Sequence, residues 1–122
     1  MTKTLAAFIL ALSVLLAACT DDGGPIGIVK NNKFDNCSTK TVGKMVDNFF
    51  ENPQWKTFYE NNKRYVLVTG TIKQDNKTVG AALKFEVTEI GGFKVASLLY
   101  NDVEQSHLVM DELMKTMCEH NR

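Results

Sequence analysis

The sequence predicts a single α+β domain in which two helices pack on one face of a four-stranded antiparallel meander, in the order α-β-β-β-β-α. Apolar residues recur at the helical period before residue 50 and again after residue 102. Between these stretches, apolar and polar residues alternate, as in strands with one buried face. Because only short turns separate the strand candidates, neighbouring strands are expected to pair antiparallel. The two amphipathic helices then cover one face of the sheet.

The first predicted helix is the clearest local pattern. Five apolar residues occupy positions i, i+3, i+4, i+7 and i+8 of one helical face: Val42, Met45, Val46, Phe49 and Phe50. Thr41 or Thr39 can serve as the N-cap of this helix. Asn52 and Pro53 are expected to end it, because the residue before a proline avoids the helical region.

The four strand candidates span residues 54–59, 64–72, 79–87 and 93–100. The second candidate carries apolar residues on both faces and is expected to be central. The third alternates cleanly between apolar and polar residues, which predicts one buried face and one wet face. The connecting turns are rich in residues that favour turns, including Gly91 and Gly92 before the fourth strand.

The second predicted helix follows the last strand and runs to about Glu119. Asp102 is the expected N-cap, and Gln105, three residues later, suits a capping box. Seven residues share one face of this helix: Val103, Ser106, His107, Met110, Leu113, Met114 and Met117. The methionines among them are more typical of core packing than of a binding groove.

The N-terminus carries a separate pattern. Lys3 precedes an apolar run over residues 5–16, which is too short for a transmembrane helix because such a helix needs roughly 20 apolar residues. At the end of the run stands Leu16-Ala17-Ala18-Cys19, which resembles the bacterial lipobox, in which the thiol is acylated and the chain is cut before the cysteine. The alternatives are an ordinary secretory signal peptide with an incidental cysteine, or an N-terminal helix that stays attached.

The lipobox resemblance implies a division of the chain into three parts. Residues 1–18 are then a lipoprotein signal peptide, residues 19–36 the lipidated cysteine with a flexible tether, and residues 37–122 a single α+β domain. The protein would be held in the bacterial cell envelope by acyl chains on Cys19, and two or more chains anchor stably. Because Thr20 follows the cysteine, the resemblance favours an outer membrane location facing the periplasm in a Gram-negative source. Residues 26–29 are expected to form a short edge strand or the end of the tether.

Four short motifs in the rest of the chain are similar to those of a group of small bacterial lipoproteins of unassigned function. They are Val29-Lys30-Asn31, Thr41-Val42-Gly43, Phe49-Phe50 with Trp55-Lys56-x-Phe58, and Tyr65-Val66-x-Val68-x-Gly70. This resemblance would cover most of the chain after Cys19. It implies no particular activity.

Two further cysteines follow Cys19. Cys37 lies just before the first predicted helix and Cys118 in the last turn of the second, so an oxidising envelope favours a disulfide between them. Free thiols or an intermolecular bridge are the alternative. A metal site that also uses His120 is a third interpretation, although a structural zinc site usually has four ligands.

Composition and spacing argue against several functions. The chain has 14 basic and 14 acidic residues and no basic stripe, which argues against nucleic acid as a partner. Ser106 and His107 are neighbours on a predicted helix and point about 100° apart, so they do not form a catalytic dyad. Asp21, Asp22 and Asp35 lack the alternation of ligands in a calcium loop. No catalytic residue, metal or cofactor is therefore expected.

The first strand candidate has aromatic residues on both faces. Trp55 and Tyr59 share one face, and Phe58 lies on the other. If Trp55 packs beneath the first helix, Phe58 lies on the wet face. Its neighbours there are Tyr65 and Leu67, provided that the second strand pairs in that register. Phe58, Tyr65 and Leu67 are therefore the candidate contact surface for a partner.

Together these features predict a membrane-anchored envelope lipoprotein whose non-catalytic domain binds another envelope protein. The alternative is an envelope inhibitor or immunity-type lipoprotein that blocks a specific enzyme or a competitor. A third possibility, a minor enzyme or a small-ligand carrier, would require a pocket with converging polar groups inside the helix–sheet layer.

Overall fold

The structure, a computed structural model, describes residues 24–120, which form three helices and one five-stranded antiparallel sheet. The helices are α1 (Gly24–Lys30), α2 (Val42–Phe49) and α3 (His107–Glu119). The strands are β1 (Glu51–Glu60), β2 (Lys63–Gln74), β3 (Lys77–Val87), β4 (Phe93–Tyr100) and β5 (Val103–Glu104). The α+β class and the antiparallel meander are thus confirmed. The expected number of strands is wrong, because β5 adds a fifth strand, and α1 adds a helix before the expected first one.

Tight turns determine the order of the strands in the sheet, which follows the chain from β1 to β5. Three of the four hairpins have two-residue loops in which both residues have a positive φ: Asn61 and Asn62, Asp75 and Asn76, and Asn101 and Asp102. This is the backbone of a type I′ turn, whose twist matches that of the flanking strands and which Asn and Asp tolerate well. Each sequence pair therefore folds the next strand back onto the previous one.

One face of the sheet, called here the covered face, packs against all three helices. The strands contribute residues that alternate along β2 and β3 together with one residue of β4: Val66, Val68, Ile72, Ala81, Leu83, Phe85, Val87 and Leu98. The helices contribute residues spaced at three and four positions: Ile26, Val29, Val42, Met45, Val46, Met110, Leu113, Met114 and Met117. The periodicities expected for α2, for β3 and for the second half of α3 are thus confirmed, and the methionines of α3 lie in the core.

Helix α1 corrects the expectation of an edge strand or tether at residues 26–29. Ile26 and Val29 lie one helical turn apart and are buried in the core, with Val29 wholly inaccessible. Pro25 occupies the first turn, where its missing N–H costs no helical hydrogen bond. Helix α1 therefore packs in the same core as the residues of the domain expected over 37–122. Residues 1–23, which include the lipobox and Cys19, lie outside the described residues.

The start of α3 also differs from the expectation. Asp102 is not the N-cap, because Asn101 and Asp102 form the turn that leads into β5. The N-cap is Ser106, whose Oγ accepts a hydrogen bond from the Val109 N–H at 3.3 Å. Both arrangements satisfy local preferences, but the turn also allows Val103 to pair with Tyr100 of β4. The sheet therefore gains β5, and the helix begins at His107 instead of directly after Asp102.

Strand β1 begins before Pro53 rather than after it, and α2 ends at Phe49. A Cβ atom on Gly70 of β2 would lie 2.9 Å from the Glu51 carbonyl oxygen and 3.1 Å from the Phe50 ring. The missing side chain thus allows the chain leaving α2 to run directly over β2. The pairing register shifts between Glu51 and Gln54, and a proline is tolerated there because β1 is an edge strand.

The expected disulfide is present. It joins Cys37, in the loop before α2, to Cys118 in the last turn of α3, with a Cα–Cα distance of 5.9 Å. Lys40 strengthens the same junction, because its Nζ donates hydrogen bonds to the carbonyl oxygens of Cys118, at 2.8 Å, and His120. A cation at the last carbonyls of a helix is favourable. The loop before α2 and the C-terminus of α3 are thus fastened both covalently and electrostatically.

Removal of the bridge is expected to destabilise the domain strongly. The double substitution Cys37→Ser and Cys118→Ser should lower the free energy of unfolding by about 4 kcal/mol, because it releases a long closed loop in the unfolded chain. Chemical denaturation without reductant measures this loss, and the wild-type protein with reductant is the matched control that should lose the same amount. Two free thiols at these positions in protein taken from cells would contradict the prediction.

Candidate functional site

The register between β1 and β2 decides which aromatic side chains face the helices. Trp55 lies opposite Val68, which is fully buried in the core, so the Trp55 side of β1 belongs to the covered face. Phe58 lies opposite Tyr65 and points the other way, because successive side chains of a strand alternate between the two faces. The expected assignment of the two faces of this strand is therefore confirmed.

Trp55 is half-buried and packs against the core cluster. The helix above it is α1, whose Lys30 Nζ lies 5.1 Å from the centre of the indole ring. A cation at this distance from the face of a tryptophan is attracted by the ring. Trp55 is thus covered by a helix that the sequence did not predict, and its neighbour Tyr59 is left 69% exposed.

Phe58, Tyr65 and Leu67 lie together on the other face of the sheet and are called here the aromatic patch. The rings of Phe58 and Tyr65 stack with their centres 5.3 Å apart and their planes at 24°. Leu67 is the next residue of β2 on the same face, one strand away from Lys56. All three side chains are half-buried, and none belongs to the core cluster or packs against it. The sequence placed Tyr65 and Leu67 beside Phe58 only if β2 paired with β1 in one particular register, and that register is the one observed.

Charged side chains surround the aromatic patch. Lys84 lies opposite Leu67, and its Nζ is 4.7 Å from the centre of the Tyr65 ring. Glu86 lies opposite Tyr65 and forms ion pairs with Lys63 at 3.7 Å and Lys94 at 4.0 Å. Both lysines are exposed, so these ion pairs contribute little to stability. The result is an apolar centre with a predominantly basic rim.

Three of the four residues considered for catalysis or metal binding near the C-terminus, Ser106, Cys118 and His120, have structural contacts. The Ser106 hydroxyl is occupied as the N-cap of α3, and His107 is exposed. Cys118 is bonded to Cys37, and the His120 ring packs edge-on against Phe49 at 5.3 Å. Over residues 24–120, His, Cys, Asp and Glu side chains form no group of three that could hold a metal ion. No helix in this range is long and apolar enough to cross a membrane.

The structure also contains a small cleft that the sequence did not indicate. It has a volume of about 280 Å³, and Leu108, Tyr100 and Phe49 are among the residues that line it. Burial raises the pKa of the Tyr100 phenol above its ordinary value. The residues lining the cleft come from α2, from α3 and from the ends of β2 and β4, so its lining depends on where α3 begins.

No protein-family model, curated protein or solved structure matches the chain. The motifs behind the second resemblance nevertheless have clear places in the fold. Val66 and Val68 lie in the core, and Gly70 leaves room for the backbone that follows α2. Phe58 and Tyr65 form the stack of the aromatic patch. The first three residues serve folding, and the last two contribute nothing to the core. Phe58 and Tyr65 are therefore the residues of these motifs that remain available for contact with another molecule.

The two faces of β1 are expected to respond differently to truncation. Trp55→Ala should lower the free energy of unfolding by about 2–3 kcal/mol, because it exposes part of the core and removes the contact with Lys30. Phe58→Ala should lower it by only about 1 kcal/mol, the value of an aromatic pair that packs outside the core. Urea denaturation followed by circular dichroism measures both, with the exposed Tyr59→Ala as the control. A larger loss for Phe58→Ala than for Trp55→Ala would contradict the assignment of faces.

Proposed function

We propose that this protein is a lipid-anchored component of the bacterial envelope whose domain binds another envelope protein through the aromatic patch. The observation that carries the proposal is the Phe58–Tyr65 stack, which lies on the face of the sheet opposite the helices and serves no core packing. Aromatic residues that are preorganised by their neighbours lose little entropy on binding and are enriched at protein interfaces. The anchor is supported by the lipobox resemblance of Leu16-Ala17-Ala18-Cys19.

An acylated Cys19 would hold the domain close to the membrane. Residues 20–23 separate that cysteine from the first residue of α1. Even fully extended, four residues span at most about 14 Å. The domain would therefore rest at the membrane surface, on the periplasmic side of the outer membrane if the source is Gram-negative. Its partner would be a protein whose binding surface also lies near that membrane.

The rim of the patch indicates the chemistry of the partner. Lys56, Lys63 and Lys84 border the three patch residues, and Lys94 lies one strand further away. Glu60 on β1 and Glu86 on β3 supply the opposite charge. A partner with an apolar centre and acidic residues around it would complement this arrangement. The apolar centre provides the affinity, and the rim contributes orientation and the rate of association.

The anchor has a direct test. Cys19→Ser should abolish acylation and move the protein from the membrane fraction to the soluble fraction of cells, because acyl chains on this cysteine would supply the anchor that the lipobox resemblance implies. Fractionation followed by mass measurement of the N-terminal peptide detects both changes. The matched control is Cys37→Ser with Cys118→Ser, which should stay in the membrane fraction. An acyl-free Cys19 in the wild-type protein would overturn the lipobox interpretation.

The binding surface is tested by crosslinking in intact cells. A photoreactive amino acid at position 67 should give one discrete covalent adduct with an envelope protein. The same amino acid at position 108, which is exposed on α3, should not. Tyr65→Ala should lower the yield at position 67 by about tenfold, as for an aromatic residue at the centre of an interface. Equal adducts at both positions, or a yield that Tyr65→Ala leaves unchanged, would contradict the proposal.

An adduct with an enzyme whose activity rises when the gene for this protein is deleted would identify the alternative function, an envelope inhibitor.

A further inference from the structure

The two edges of the sheet differ greatly. At the far edge the two-residue β5 pairs only with Leu99 and Tyr100 of β4, whereas β1 is a ten-residue strand that forms the whole near edge. Among residues 24–120, β1 pairs with β2 alone. A long edge strand offers unpaired backbone groups to another strand, and proteins usually shorten, bend or cover such edges. Pro53 interrupts the beginning of β1, but the segment that follows it is regular.

The hairpin between β1 and β2 determines which backbone groups of β1 are available. Glu60 and Lys63 flank its two-residue loop, and such a pair exchanges both of its hydrogen bonds. Hydrogen-bonded and non-hydrogen-bonded pairs then alternate along the ladder. The N–H and C=O groups of Lys56, Phe58 and Glu60 therefore point towards β2. Those of Trp55, Thr57 and Tyr59 point outwards to the free edge.

We propose that a second copy of this chain pairs with β1 in antiparallel fashion, about a twofold axis that passes between the two Phe58 residues. The proposal stands apart from the proposed function, since self-association requires neither the lipid anchor nor another protein. The occupant is identified by charge. In this register Lys56 lies opposite Glu60 of the second copy, and Glu60 lies opposite Lys56 of the second copy. Within the described chain neither residue has an ion-pair partner of its own.

Neighbouring registers lack this complementarity. The outward backbone groups alternate, so a twofold pairing can be centred on any single residue of β1 but not between two residues. Centring on Lys56 places two lysines opposite each other, which is unfavourable. Centring on Thr57 places Lys56 opposite Phe58 and leaves both charges without a partner. The register centred on Phe58 also keeps Pro53 outside the paired segment, so its missing N–H breaks no hydrogen bond of the new ladder.

The pairing would join the two sheets into one sheet of ten strands. Because the twofold axis would run perpendicular to the sheet, the two uncovered faces would lie on the same side. The two Phe58 residues would form a non-hydrogen-bonded pair, in which Cα atoms are about 4.5 Å apart. The two aromatic patches would then merge into one surface that neither copy has alone, bordered by two new Lys56–Glu60 pairs.

Cysteine crosslinking of the full-length protein in cells tests the register. Phe58→Cys should form an intermolecular disulfide, because opposed residues of a non-hydrogen-bonded pair approach closely enough for one. Lys56→Cys should not form one. Residue 56 would lie opposite residue 60 of the second copy, so the two thiols would be four positions apart along the paired strands. The unsubstituted protein is the control for the native cysteines. Crosslinking of Thr57→Cys in place of Phe58→Cys, equal crosslinking at all three positions, or none at any of them would overturn the proposal.

Charge reversal tests the reason for the pairing. In the Phe58→Cys protein, Lys56→Glu or Glu60→Lys alone should lower the crosslinked fraction by about tenfold. Each single substitution turns both of the Lys56–Glu60 pairs in the dimer into pairs of like charges. The double reversal, Lys56→Glu with Glu60→Lys, should restore it. A double variant that crosslinks no better than the single variants would refute self-pairing in this register. Adducts formed at position 67 with another protein are a separate readout, so either proposal can fail while the other stands.

Discussion

One-sided burial of the sheet is the constraint on which the rest of the structure depends. Val66, Val68, Leu83 and Phe85 are wholly inaccessible because three helices and the loop that carries Phe34 cover the same side of the meander. A chain of this size forms only one core, so the opposite side must remain in contact with solvent or with another molecule. The half-buried aromatic patch and the free edge of β1 are both consequences of this arrangement.

Most parts of the fold that the sequence predicted are those that a short window of residues determines. Helix α2 and the alternation of β3 follow from periodicity, and both are present. The pairing of Cys37 with Cys118, which are 81 residues apart, rests instead on the number of cysteines and an oxidising envelope. Helix α1 could not be found from periodicity, because two apolar residues one turn apart fit a strand, a tether or a helix equally well. Only the space above β1 and β2, which exists once the sheet has formed, selects the helix.

The region between β4 and α3 shows a conflict between two local preferences. Asp102 followed by Gln105 suits a capping box, yet Asn101 and Asp102 also suit a type I′ turn. The turn prevails because Tyr100 and Leu99 gain strand partners and Ser106 is available as a replacement cap. For the candidate site the situation was simpler, because Phe58, Tyr65 and Leu67 follow from strand alternation and the hairpin register. The cleft beside Tyr100 depends on where α3 begins and was therefore missed.

The position of the disulfide also determines how the domain responds to mechanical force. Tension that arrives from the N-terminal side acts first on α1, which is held to the sheet by the packing of apolar side chains such as Val29 and by the contact of Lys30 with the Trp55 ring. Beyond Cys37 the covalent bridge passes the tension directly to Cys118, so that the sheet, which lies wholly between these two residues, is bypassed. A pull between the two ends of the domain would therefore peel α1 away and lengthen the chain by about 40 Å, the reach of residues 24–36, while the sheet and its exposed face keep their shape.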